Sequence, residues 1–168
     1  MGDAMRHYCA IVVLLLLTGC ERPTKVSLAL SETGSGIVFR VTGNGSLGEM
    51  LVYGPEYADH ATSPSDRKYA IWQLEPDGGY LSGRTLDAIG EIAYGTVPAG
   101  YKQVTPAQGS PEMIVPGQTY YVVFSTVGAT GFAGFFHLRN GKTEFVHLNR
   151  PCFTLDEHRS WKRVPCFE

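Results

Sequence analysis

From residue 26 onward, apolar and polar residues alternate with a period of two, the mark of strands that bury one face. Val26-Ser27-Leu28-Ala29-Leu30 and Ile37-Val38-Phe39-Arg40-Val41 each put an apolar set on one side. The polar, Gly-rich run Ser31 to Gly36 between them predicts a turn, and so an opening hairpin. Further strands are predicted at Met50 to Tyr53, Tyr69 to Leu74, Ile89 to Tyr94, Tyr101 to Val104, Thr119 to Val127, Phe132 to Arg139 and Lys142 to Leu148. Ala70, Trp72 and Leu74 share a face of their strand, which makes Trp72 the expected core anchor. No helical period competes, so the pattern predicts an all-β chain of roughly eight or nine strands.

One turn fixes its own register. Asn140-Gly141 separates two strand-like runs, and both central positions of a type I′ turn need positive φ, which Asn and Gly tolerate best. A two-residue hairpin follows, with Arg139 opposite Lys142, Phe136 opposite Phe145 as an aromatic pair, and His137 opposite Glu144 on the other face.

The first twenty residues follow a different rule. An apolar run from Ala10 to Leu17, preceded by a lone Arg6, ends in Leu17-Thr18-Gly19-Cys20. A charged start, a short apolar segment and small residues before the cut describe a secretory signal peptide. The about eleven apolar or small residues from Tyr8 to Thr18 fall short of the roughly 20 that a membrane helix needs. Met1-Gly2 is no myristoylation signal, because Arg6 stands where Ser or Thr is required. A start at Met5 would give the same mature product.

Leu-Thr-Gly-Cys resembles the lipobox of bacterial lipoproteins. The resemblance implies that Cys20 becomes the first mature residue and carries a covalent diacylglycerol and an N-acyl chain, with no other cofactor. It implies a bacterial cell envelope, with the lipid bilayer as first partner. In the sorting pattern of such lipoproteins an Asp after the cysteine retains the protein in the inner membrane. Glu21 departs from that, so the outer membrane is favoured. A plain secretory signal would instead leave Cys20 as a free thiol outside the cytoplasm. The expected organisation is a signal peptide over 1–19, a lipidated tether over 20–25 and a β-sandwich domain over 26–168.

Of the 168 residues, 149 remain once 19 are removed, a length that suits one core. One acid, Asp3, and one base, Arg6, leave with the signal, so the net charge stays at −2 and offers no basic field to nucleic acid. A 43% hydrophobic, 11% aromatic and only 18% charged composition argues against disorder. Cys9 leaves with the signal and Cys20 takes the lipid, so Cys152 and Cys166 are expected to pair in an oxidising compartment. The thirteen residues between them form a loop whose closure is worth roughly 3 kcal/mol. The enclosed tail, Phe153 to Val164, is charge-rich around Trp161 and reads as a solvated loop pinned by its bridge.

Ile114-Val115-Pro116-Gly117-Gln118-Thr119-Tyr120 leads into an apolar strand. An apolar residue, Pro-Gly and a Tyr three residues later resembles the tyrosine corner of fibronectin type III and immunoglobulin-like sandwiches. The resemblance covers roughly Lys68 to Leu148. It implies an antiparallel sandwich in which Tyr120 buries its ring and bonds a backbone group with its hydroxyl. Tyr94-Gly95-Thr96-Val97-Pro98-Ala99-Gly100-Tyr101-Lys102-Gln103 and the Pro116-Gly117 segment are similar to small uncharacterised lipoproteins of Gram-negative bacteria. Pro98, Pro106, Pro111 and Pro116 stiffen this connection, from which Ile114 and Val115 are expected to tuck back onto the sandwich.

The search for chemistry returns little. Gly43 to Gly48 matches a dinucleotide fingerprint by letter, but no helix follows it, so it reads as a Gly-rich turn. His137 and His147 fall on opposite faces of their hairpin, which argues against a shared metal. No Gly-x-Ser-x-Gly elbow, His-Glu-x-x-His helix or Cys-x-x-Cys pair occurs. A candidate binding surface is the apparent loop from Gly54 to Lys68, with Tyr57, Asp59, His60 and Arg67, and Trp161 of the tail joins it. Loops of that length are mobile or functional, and mobility is the leading expectation. The expected role is non-catalytic binding or envelope structure, with an envelope protein or peptidoglycan as candidate partner. The alternatives are an inhibitor of an envelope-degrading enzyme such as lysozyme, and a hydrolase whose nucleophile lies near His60 or His158.

Overall fold

A computed structural model describes residues 23–30, 36–61, 63, 66–146, 152–155 and 161–164. Among these, eleven strands alternate with short helical turns: β1 (Lys25–Leu30), β2 (Ile37–Thr42), β3 (Ser46–Tyr53), β4 (Ala70–Pro76), β5 (Glu91–Ala93), β6 (Tyr101–Thr105), β7 (Thr119–Val127), β8 (Phe132–Arg139), β9 (Lys142–Val146), β10 (Cys152–Leu155) and β11 (Trp161–Val164). Two antiparallel sheets, β1-β2-β5 and β6-β4-β3-β7-β8-β9, pack face to face as an all-β sandwich, and β10 pairs with β11.

Alternation supplies the core. Phe39 and Val41 of β2 and Ile92 of β5 meet Met50 and Val52 of β3, Trp72 and Leu74 of β4, Val122 and Phe124 of β7, and Phe136 of β8, all essentially without solvent exposure. Phe39 is the central contact, edge-on to Phe124 at 5.8 Å and to Phe136 at 5.6 Å. Edge-to-face packing sets the positive rim of one ring on the negative face of the next.

The opening hairpin forms with Leu30 opposite Ile37 and Lys25 opposite Thr42. Asn140 and Gly141 both take positive φ, 51° and 67°, and the three pairs expected across that turn are present. Phe145 stands opposite Phe136, yet its ring leans over Gly134 to meet Phe132 at 5.0 Å. A Cβ at Gly134 would lie 3.1 Å from both rings, so the glycine makes the room.

Several expectations are corrected. Ala70 does not share a face with Trp72 and Leu74. A bulge between Val52 and Tyr53 sets two β4 residues against one of β3, and Ala70 turns to the outer face beside Leu51 and Tyr53. The Gly-rich turn is shorter than expected, because Ser46, Leu47 and Gly48 already belong to β3. The Tyr80 ring occupies the space a side chain at residue 48 would need. The strand expected at Ile89 to Tyr94 is a helical turn, Leu86–Ile89, followed by Gly90 at φ 67° and the short β5. Leu86 is buried there, and Asp87 accepts a hydrogen bond from the Gly43 backbone N–H at 3.0 Å. The tail is not a loop throughout: β10 and β11 pair from Cys152 opposite Val164 to Leu155 opposite Trp161. Strand formers such as Phe153, Thr154, Trp161 and Val164 outweigh its charge. Among the described residues, no helix is long and apolar enough to cross a membrane.

Candidate functional site

Two features lie outside the core: an apolar groove at one pole of the sandwich, and a strap across the outer face of the larger sheet.

The groove has a volume of about 600 Å³ and lies between Ile37, Tyr94, Pro111, Met113, Ile114 and Leu138. Its wall, the Pro-rich connection after β6, is tied at five points. Gln103 accepts a hydrogen bond from the Trp72 indole N–H at 3.1 Å and donates to the carbonyls of Pro106 and Gly109, both at 2.8 Å. The Tyr94 hydroxyl donates to the Glu112 carbonyl at 2.7 Å. The Tyr120 hydroxyl accepts from the Val115 N–H at 2.9 Å, and the Gly117 N–H reaches the Leu138 carbonyl at 2.8 Å. The expected tyrosine corner is therefore present, with Tyr120 buried. Ile114 tucks in as expected, at 9% exposed, but Val115 does not, at 49%. Burial pushes the Tyr94 hydroxyl well above its ordinary pKa, so it stays a neutral donor. The groove sits where β2 begins and β8 ends. The chain enters at the other pole, where the Thr24 N–H bonds the Thr130 carbonyl.

The strap is the apparent loop between β3 and β4. Its described residues include a helical turn, Tyr57–His60, and a 3₁₀ turn, Arg67–Tyr69, that lie on the sheet. Tyr57 is 2% exposed and stacks on Tyr121 at 5.0 Å with rings 7° apart, so it is an anchor and not a binding residue. Tyr53 lies 4.2 Å from it, and Phe135 backs Tyr121 at 4.7 Å. Asp59 and His60 are exposed, and the His60 carbonyl accepts from the Tyr69 hydroxyl at 3.1 Å.

Arg67 closes the strap through a network that the sequence pattern did not announce. Its guanidinium lies 2.8 Å from Glu49 and 4.0 Å from Glu75. The Gln73 amide donates to both carboxylates, at 2.8 and 2.9 Å, and its carbonyl accepts from Thr105 at 3.3 Å. Glu49 is only 8% exposed. Burial raises its carboxyl pKa, opposed by Arg67 and reinforced by Glu75. Tyr53 is pushed up to about 12, mainly by burial and then by the Glu49 charge. This chemistry fastens the strap.

The candidate residues named from sequence thus do not converge. Tyr57 is internal, Asp59 and His60 face solvent, and Arg67 belongs to the carboxylate network. Trp161 and Cys152 lie on β11 and β10. Cys20, Cys166, His147 and His158 lie outside the described residues. His137 and Glu144 form the expected cross-strand pair, at 2.9 Å. Among the described residues no three His, Cys, Asp or Glu side chains gather as a metal site would require. Set against known protein-family models and curated proteins, the chain matches none.

Proposed function

We propose that this chain is a lipid-anchored protein of a bacterial cell envelope, held at Cys20, favoured for the outer membrane, whose sandwich acts as a non-catalytic binding module. The lipobox-like Leu17-Thr18-Gly19-Cys20 supports the anchor. The observation that carries the binding role is the groove's position at the pole opposite the chain's entry, where an anchored domain presents it away from its own membrane. Among the described residues, Ser110 lines the groove without a histidine beside it, so binding has more support there than hydrolysis. An envelope protein, peptidoglycan or a small molecule is the partner class; nucleic acid is not.

Cys20→Ser tests the anchor. The parent should partition into detergent and carry lipid mass on its first mature residue, and the variant should do neither. At about 0.8 kcal/mol per buried CH₂, several chains hold a protein that one chain leaves reversible. Equal membrane association of parent and variant would overturn the reading.

A further inference from the structure

We propose that the apolar groove at this pole binds an uncharged, mostly apolar small molecule with one neutral polar end; this rests on the binding role proposed above. Four observations carry it. The volume of about 600 Å³ is that of a small-molecule site rather than a packing defect. Among the described residues no charged side chain lines it, so a charged ligand would lose its hydration without gaining a partner from them. The wall is preformed: Gln103, Tyr94 and Tyr120 already hold the segment from Pro106 to Val115, so a ligand need not order it. Next to the groove, Met113 is 83% and Val115 49% exposed, apolar surface that a ligand would cover.

The same geometry selects the shape of the ligand. The Tyr94 hydroxyl is spent on the Glu112 carbonyl. Ser110, with the backbone of Gly36 and Gly95, supplies the remaining polar edge. Those groups suit a single hydroxyl or amide at one end of an apolar body. A lysine- or carboxylate-bearing ligand finds no counter-ion among the described lining residues.

The test uses the mature chain from residue 20 carrying Cys20→Ser, so that neither the apolar signal run, attached lipid nor detergent competes. The probe is N-phenyl-1-naphthylamine, an uncharged apolar fluorophore. Saturable fluorescence enhancement is expected, displaced by 1-decanol and about tenfold less well by decanoate, whose charge the groove cannot pair. Met113→Glu and Ser110→Glu, both at exposed positions, should weaken binding by about tenfold or more while leaving the unfolding midpoint unchanged. Lack of saturable enhancement, equal competition by decanoate, or variants that bind like the parent would each overturn the proposal. The anchor is read separately by membrane partitioning, so its failure leaves this result unaffected.

Discussion

The Tyr120 hydroxyl holds the Val115 backbone N–H at 2.9 Å across the turn that enters β7. The hydroxyl is the acceptor, so removing it strands a backbone donor rather than a carbonyl. Tyr120→Phe should cost about 1 to 3 kcal/mol, the penalty of an unpaired buried amide. Tyr69→Phe loses a bond at the surface and should cost under about 1 kcal/mol. Urea unfolding of the two variants checks the order, and equal losses would remove the corner's structural role.

Glu49 makes stability depend on pH. Burial holds its carboxyl above the ordinary value of 4.5, with Arg67 only partly opposing. The folded chain keeps a proton that the unfolded chain gives up, so this contribution is full below about pH 4.5 and is lost as pH rises through the folded value. Glu49→Gln should flatten the fall in stability as pH rises above about 4.5, read from urea midpoints. Arg67→Ala should weaken the protein more at the higher pH. A parent-like slope in Glu49→Gln contradicts the assignment.

Two glycines should respond differently to the same substitution. A Cβ at Gly83 would fall on the Leu47 carbonyl, which also accepts the Tyr101 hydroxyl at 3.0 Å. Gly83→Ala should therefore cost at least about 3 kcal/mol, the upper range for overpacking. Gly109 has open space and φ +78°, so Gly109→Ala should cost about 1 kcal/mol of backbone strain. Thermal melts of the pair separate the two causes.

Cys152 and Cys166 are proposed to be bridged. Thiol labelling of denatured, unreduced mature protein should find neither free, and reduction should lower stability by about 2 to 4 kcal/mol. Hydrogen exchange should loosen around β10 and β11 and leave the Asn140-Gly141 hairpin protected. Two labelled thiols would discard the bridge.

Local rules carried far along this chain. The pattern around Asn140-Gly141 contains both φ signs and the register, because a two-residue loop leaves no freedom to slip. Tyr120 was legible for the same reason: its partner lies five residues away. Ala70 was misread because a bulge shifts the parity of β4, and alternation alone cannot show an extra residue. Glu49 sits between Gly48 and Met50 with no hint of a partner. Arg67 and Gln73 reach it from 18 and 24 positions on, through a strap whose folding depends on tyrosines stacked on a sheet not yet formed. The groove is a shape made by three elements at once, and composition reveals only the prolines in its wall.

The opposition of entry and groove also sets a height. On the anchored reading, the five residues from Glu21 to Lys25 span at most about 17 Å. The run of β8 from Phe132 to Leu138 adds about 20 Å. The groove would then work within about 40 Å of the lipid headgroups, like the tip of a short fixed post. Lengthening the tether with a Gly-Ser insert after Glu21, ahead of β1, would change which donors or acceptors of ligand come within reach, while the groove's intrinsic affinity stayed constant.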